Sequence, residues 1–356
     1  GPTAAFVEEE VVRWLCDLVG YDRDAAGNPA APSAEQAFGL ITSGGVMANF
    51  IAMALVRDVH LGRLRDLDRP PRGAALEGVR VYTSDQAHFS VGRALDELGF
   101  PYETLAVVPA DERFRLQAAA VAARIAEDRA AGLTPLAIAA VAGTTNTGAV
   151  DAIEDLAALA RREGLWFHVD AAYGGAVRFS PRDRDRVPGL HLADSVTVDP
   201  HKWFFQAYDI GALVVREGAR LEETFGRRRP EYYRGGERSG STDGPHDVGV
   251  HPAAGPVSFY KLGFEGTRRW RALKLWLSWR HLGSDGFARL VERNDDLAAY
   301  LAARIRASDD FEACPAEPEL SVVCFRHIPR GVELDPAALV AHQDRLQAAL
   351  EASGDG

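Results

Sequence analysis

Four short stretches put reactive or anion-binding groups at the ends of runs that read as strands. In Val198-Asp199-Pro200-His201-Lys202-Trp203 a lysine follows such a run. An amine at a strand end in apolar surroundings sheds its charge readily and suits Schiff-base chemistry, although a solvated lysine is the commoner fate. Thirty-two positions earlier, Phe167-His168-Val169-Asp170 closes a strand with an acid, which is costly inside a protein unless it meets a cation. The small residues after it, Ala171 and Ala172 and then Gly174 and Gly175 beyond Tyr173, leave room for something flat close to the backbone. Thr83-Ser84-Asp85-Gln86-Ala87-His88 sets a histidine between a strand and a helix, a weak signal alone. Thr42-Ser43-Gly44-Gly45-Val46-Met47-Ala48-Asn49 puts two glycines ahead of a helical run. There backbone N–H groups can approach an anion at the positive end of the helix dipole. Many glycine pairs are only tight turns, so this too is weak by itself.

Together the four are coherent. An anion cradle, a flat histidine, a buried acid and a strand-end lysine are what pyridoxal phosphate requires. The phosphate takes the helix N-terminus and Lys202 forms a Schiff base. Asp170 pairs with the pyridinium nitrogen so that the ring acts as an electron sink, and His88 can stack on the ring face. Rival chemistries lack their patterns. The glycine stretch at 42–49 is neither G-x-G-x-x-G nor G-x-x-x-x-G-K-[ST], which argues against a dinucleotide or a nucleoside triphosphate. Without H-E-x-x-H, an EF-hand or G-x-S-x-G, neither a metal site nor a serine nucleophile is indicated. Gly143–Gly148 lacks the lysine and spacing of a phosphate loop.

A scaffold must bring these strand ends to one edge. Val79–Ser84, Tyr102–Val108, Leu136–Ala142, Leu165–Val169, Ser195–Val198 and Ala212–Val215 read as strands, short and rich in apolar residues. Arg115–Ala131 and Asp151–Glu163 read as helices between them, the second closed by Gly164. Strands separated by helices imply right-handed crossovers, hence an α/β three-layer sandwich with a mainly parallel central sheet. In such sheets ligands bind at the carboxyl ends of the strands. Residues 226–256 are rich in glycine, proline and charge and read as a long loop, a solvated lid in preference to a nucleic-acid patch. Thr267–Leu282 reads as an amphipathic helix and about Gly286–Ile305 as a second; Leu320–Phe325 reads as a strand opening an incomplete α+β C-terminal segment. The expected division is a cofactor-binding large domain over 1–282, with its mobile loop at about 226–262, and a partial small domain over 283–356.

The 356 residues, 47% hydrophobic and 26% charged, are ordinary for a folded protein, which excludes wholesale disorder. A net charge of −11 disfavours nucleic acid and anionic membrane surfaces as partners. Cys16, Cys314 and Cys324 are too few and scattered for a disulfide framework and suit a reducing cytoplasm. The chain opens at Gly1-Pro2, already inside an expected helix (Ala4–Leu18), and reads as a fragment or processed piece.

The motifs SDQAHFS, HVDAAYGG, DPHKW and RRWRALKLW resemble those of the group II pyridoxal-phosphate-dependent decarboxylases, the aromatic-L-amino-acid, glutamate and histidine decarboxylase family of fold type I. The likeness runs from about Val7 to Phe325. It implies decarboxylation of an L-amino acid to an amine and CO2 through Lys202 as the Schiff-base lysine. Asp170 would partner the pyridine nitrogen, Ala172 would lie beneath the ring, His88 above it, and Thr145 would contact the cofactor. Gly45, Val46, Asp199 and His201 fall at phosphate-site positions, and His201 counts among the catalytic candidates. The resemblance further implies a homodimer, and the N-terminal helices and longer C-terminal domain that relatives carry are not expected within this sequence. Many relatives have a hydroxyl residue and then an acid where Val46-Met47 stands here, so one side-chain contact to the phosphate is lost. Relatives also carry a lid tyrosine that protonates the substrate carbon in a neighbouring subunit. Counting back from Arg268-Arg269 gives Phe259 without a gap and Tyr260, the preferred reading, with a one-residue shift. A phenylalanine there is associated with oxidative deamination to an aldehyde, so an aldehyde synthase is the alternative activity and a non-catalytic remnant or partner subunit the alternative class. The apolar SFYKLGF segment favours an aromatic or apolar substrate.

Overall fold

The computed structural model describes residues 2–21, 36–67, 69–226, 257–332 and 334–354. Seven strands form one sheet: β1 (Phe38–Thr42), β2 (Val79–Ser84), β3 (Leu105–Val108), β4 (Thr134–Val141), β5 (Trp166–Asp170), β6 (Ser195–Val198) and β7 (Gly211–Val215). Their order across the sheet is β1-β7-β6-β5-β4-β2-β3. Only β7 runs against its neighbours; the β6-β5-β4-β2-β3 block is parallel throughout. Since β7 opposes both β1 and β6, the carboxyl ends of β1, β2, β5 and β6 share one edge, and each of the four chemical stretches follows one of them. Every residue of β1, β5, β6 and β7 is buried, so both faces of the sheet are covered, as near-continuous apolar strands require.

The helices α1 (Pro2–Val19), α2 (Gly45–Leu55), α3 (Ser90–Glu97), α4 (Ala118–Ala130) and α5 (Ile153–Glu163) supply the outer layers. Helix α5 carries Glu154 and Asp155 in its first turn and Arg161 and Arg162 in its last, matching its macrodipole. It ends on Gly164 at φ 69°, a left-handed cap that glycine adopts without strain. Helix α2 packs over β7 and β6 and against α3, which fixes its N-terminus beside the ends of β5 and β6. Buried Glu8 of α1 accepts from Ile41 N at 3.1 Å and pairs with Arg268 at 2.7 and 3.0 Å. That pair ties the first helix, the first strand and the region after residue 257 together.

Several boundaries differ from the sequence expectation. Tyr102–Thr104 forms a 3-10 turn after Pro101 with Tyr102 exposed, and β3 begins only at Leu105. The amphipathic stretch from Thr267 becomes helical only at Ala272, because Arg271 is drawn into ion pairs with Asp209 and Glu265. Helix α6 (Ala219–Phe225) follows β7, and α7 (Ala272–Arg306) breaks at Gly283, where φ is 65° and ψ 172°, so two helices meet there. The strand expected over Leu320–Phe325 is not one. Only Phe325–His327 (β9) pairs, antiparallel to Phe311–Ala313 (β8). Leu320 is buried against the Gly143–Gly148 loop and Ser321 Oγ bonds the Tyr173 hydroxyl, so the segment docks through side chains. A last helix, α8 (Pro336–Ser353), starts with Asp335 capping Ala338 N at 2.8 Å.

Candidate active site

A cavity of about 320 Å³ opens at the shared carboxyl edge. Eight of the expected residues line it: Gly45, Val46, His88, Asp170, Ala172, Asp199, His201 and Lys202. Thr145 does not. It sits exposed on a loop closed on itself by the Thr144 and Thr147 hydroxyls, 2.8 Å apart. Tyr260 does not line the cavity either; it lies half-buried on the 3-10 turn Phe259–Lys261. Phe259 is buried, stacked on Phe38 at 5.9 Å with Arg268 over its ring. Most of the loop expected at 226–256 lies outside the described residues.

Asp170, the last residue of β5, is 6% exposed between Val141 and Thr197 on the flanking strands. Its Oδ1 accepts from Ala172 N at 3.0 Å and its Oδ2 from Asn49 Nδ2 at 2.7 Å. Lys202 stands in the turn after β6, its Nζ 3.7 Å from Asp199 Oδ2. The turn is held by its neighbour: Trp203 stacks on Tyr173 at 4.8 Å and 10° and donates to Asn294 Oδ1 at 3.0 Å. The loops after β5 and β6 are thereby clamped together. Burial pushes Asp199 up to about 7 against the opposing pull of Lys202 and the Gly45 N–H. Burial also lowers His201, with the Lys202 charge adding to it, and lowers His88. His201 Nδ1 accepts from Ile210 N at 3.1 Å, so its proton is on Nε2, 3.1 Å from Asp199 Oδ2.

The glycine pair opens α2 with no side-chain cap. Gly45 N donates to Asp199 Oδ2 at 3.1 Å, which leaves the Val46 and Met47 N–H groups of the first turn as the cradle's donors. A Cβ on Gly44 would come within 3.0 Å of the His201 ring, so glycine is needed for the histidine to approach.

A family model described as the pyridoxal-dependent decarboxylase conserved domain matches residues 1–328. The chain belongs to the pyridoxal-dependent decarboxylase family. It is 36% identical over 330 residues to an aromatic-L-amino-acid decarboxylase of Bacillus atrophaeus, covering 92% of this chain and 61% of that protein. It is 31% identical over 335 residues to an aspartate 1-decarboxylase of Aliivibrio fischeri, covering 92% of this chain and 57% of that one. The chain therefore spans about three fifths of the length of these relatives. Among solved structures, that of Oryza sativa TDC with PLP and tryptamine superposes with a TM-score of 0.83 at 25% identity, over 99% of this chain and 68% of the other.

The residues lining the cavity fit pyridoxal phosphate. They offer the Val46 and Met47 N–H groups of a helix start for an anion, a buried carboxylate and a lysine amine. Asp199 Oδ1 is a buried acceptor with no hydrogen-bond partner among the described residues. Sequence reasoning gave no role to Asn49, Ser90, His168 or Thr197, though all four are buried around Asp170 and the first two line the cavity. The signals were present. Asn49 lies four residues after Gly45, on the same helix face, and His168 two before Asp170, on the same strand face. No helix among the described residues is long and apolar enough to cross a membrane.

Proposed function

We propose that this chain carries out pyridoxal-phosphate-dependent decarboxylation of an L-amino acid to its amine and CO2. The observation that supports the reading best is the convergence of Lys202, Asp170 and His88 on one cavity beside a helix N-terminus. Bound there, pyridoxal phosphate supplies an electron-withdrawing ring conjugated to the carbon that loses CO2. Lys202 would hold it covalently, with Asp199 at 3.7 Å placed to exchange a proton with the amine. Asp170, fixed by two N–H donors, would face the ring nitrogen; His88 and Ala172 would cover the ring's two faces. The Val46 and Met47 N–H groups would hold the phosphate, with His201 beside them, its Nε2–H turned to Asp199 Oδ2. Most of the acceleration then comes from charges set in place before the substrate arrives.

The reading carries with it a division near Gly283 between a cofactor-binding unit (1–282) and a smaller segment (283–356). It also carries a cytoplasmic homodimer. Tyr260 enters as proton donor only by serving the cavity of a second copy. The SFYKLGF segment does not line this chain's own cavity, so any bearing it has on an aromatic or apolar substrate comes, as for Tyr260, through a second copy. The first substrates to test are aromatic amino acids, because of the Bacillus relative. The test is CO2 release from each of the twenty amino acids by the chain supplied with pyridoxal phosphate. Release from one or a few, lost in Lys202→Ala, supports the reading; release from none, by a chain that binds the cofactor, refutes it.

A further inference from the structure

Asn49 sits at the centre of a buried hydrogen-bond network in which the direction of each bond can be assigned. A carboxylate only accepts, so the Asn49 atom 2.7 Å from Asp170 Oδ2 is the amide nitrogen, and its second proton goes to Ser90 Oγ at 2.8 Å. The amide oxygen therefore faces the Thr197 hydroxyl at 2.6 Å and His168 Nε2 at 3.1 Å, and both must donate to it. His168 Nδ1 is met by Ser195 Oγ at 2.9 Å, which itself accepts from Trp166 Nε1 at 3.0 Å. The serine hydroxyl is thus free to donate its own proton to Nδ1. His168 is a neutral Nε2–H imidazole, fully buried.

His168 and Asp170 project from the same face of β5, two residues apart. A buried acid and a buried imidazole so placed would pair, and the imidazolium would cancel the charge that the cavity needs at Asp170. The amide of Asn49 lies between them, its N–H to the acid and its oxygen to the imidazole. We propose that Asn49 is a positioning residue that keeps His168 from protonating against Asp170 and so reserves the Asp170 charge for the cofactor ring nitrogen. The inference rests on the cofactor reading above. It extends that reading to a residue of the cavity lining whose assigned action runs through Asp170.

The test uses the cofactor-free chain with histidine rings labelled for NMR, the His168 signals being identified by their loss in His168→Gln. In the wild type His168 stays neutral, with the proton on Nε2, through pH 5. Among the described residues, Asp170 is the charged group placed to raise its proton affinity. In Asn49→Asp the imidazole gains a carboxylate partner, and its protonation is expected one to three pH units higher, a ten- to thousandfold gain in proton affinity. Asn49→Ala, which removes the spacer without adding charge, is expected to give at least tenfold. In both variants affinity for pyridoxal phosphate should fall about ten- to a hundredfold, the loss of one hydrogen bond to a charged group. Unchanged His168 titration in both variants overturns the proposal. So does a shifted titration with wild-type affinity for pyridoxal phosphate. A wild type that does not bind pyridoxal phosphate at all sinks the functional reading instead, and the His168 titration still decides whether Asn49 separates the two groups.

Discussion

Replacing His168 with glutamine should flatten the acid limb of the stability curve. His168 is fully buried in the native state, and burial lowers it from an ordinary 6.5 to about 4 despite the pull of Asp170. Between those values the unfolded chain binds a proton that the folded chain refuses. Its contribution to stability is therefore complete above pH 6.5 and is lost as pH falls towards 4. With a shift of about 2.5 units at 1.36 kcal/mol each, the loss is about 2 kcal/mol by pH 5 and about 3 kcal/mol below pH 4. Other groups titrate in the same window with the opposite sign. Asp151, Asp199 and Asp295 are each pushed up to about 7 by burial, so acidification relieves them. The quantity to measure is thus a difference between two curves. Urea unfolding of wild type and His168→Gln from pH 4.5 to 8 should give a gap that changes by about 2 kcal/mol between pH 7.5 and pH 5, the glutamine N–H replacing the imidazole donor towards Asn49. Parallel curves would mean that His168 is not neutral in the folded state, and the assignment of the Asn49 amide would fall with it.

Further outcomes follow from the same contacts. Arg268→Ala leaves Glu8 buried without its cation and should cost about 3–5 kcal/mol, seen as a lower urea midpoint. Ala172→Leu fills the floor of the cavity. Pyridoxal phosphate binding, followed by visible absorbance, should be abolished while the melting temperature stays within a few degrees. Tyr260→Phe discriminates the products: if Tyr260 of a second copy supplies the proton, then in air, with dioxygen as oxidant and water as co-reactant, the amine gives way to aldehyde, ammonia and hydrogen peroxide, and an unchanged amine yield removes Tyr260 from the reaction.

The sheet was legible because its strands are short apolar runs punctuated by helices, and buried strands read that way regardless of their partners. The antiparallel reversal at β7 was not, since Gly211–Val215 is as apolar as its parallel neighbours and direction leaves no mark on composition. Leu320–Phe325 misled for a related reason. An apolar run pointing its side chains into a core has the pattern of a strand whether or not its backbone pairs. The cavity gathers residues that type and position had singled out: the lysine after β6, the acid ending β5, the glycines opening α2. The residues that orient them were harder to find. Asn49, Ser90 and Thr197 are small polar side chains that acquire meaning only when β5, β6 and α2 are brought together. Thr145 shows the converse. Its place came from a matching motif, and the structure sets it on the exposed side of its own loop.

The account turns on which amine carries the cofactor. The chain would be incubated with pyridoxal phosphate, reduced with borohydride, digested and analysed by mass spectrometry. A phosphopyridoxyl group on the peptide containing Lys202 and on no other, absent in Lys202→Ala, is the predicted result. Label spread over surface lysines, or none at all, would contradict it.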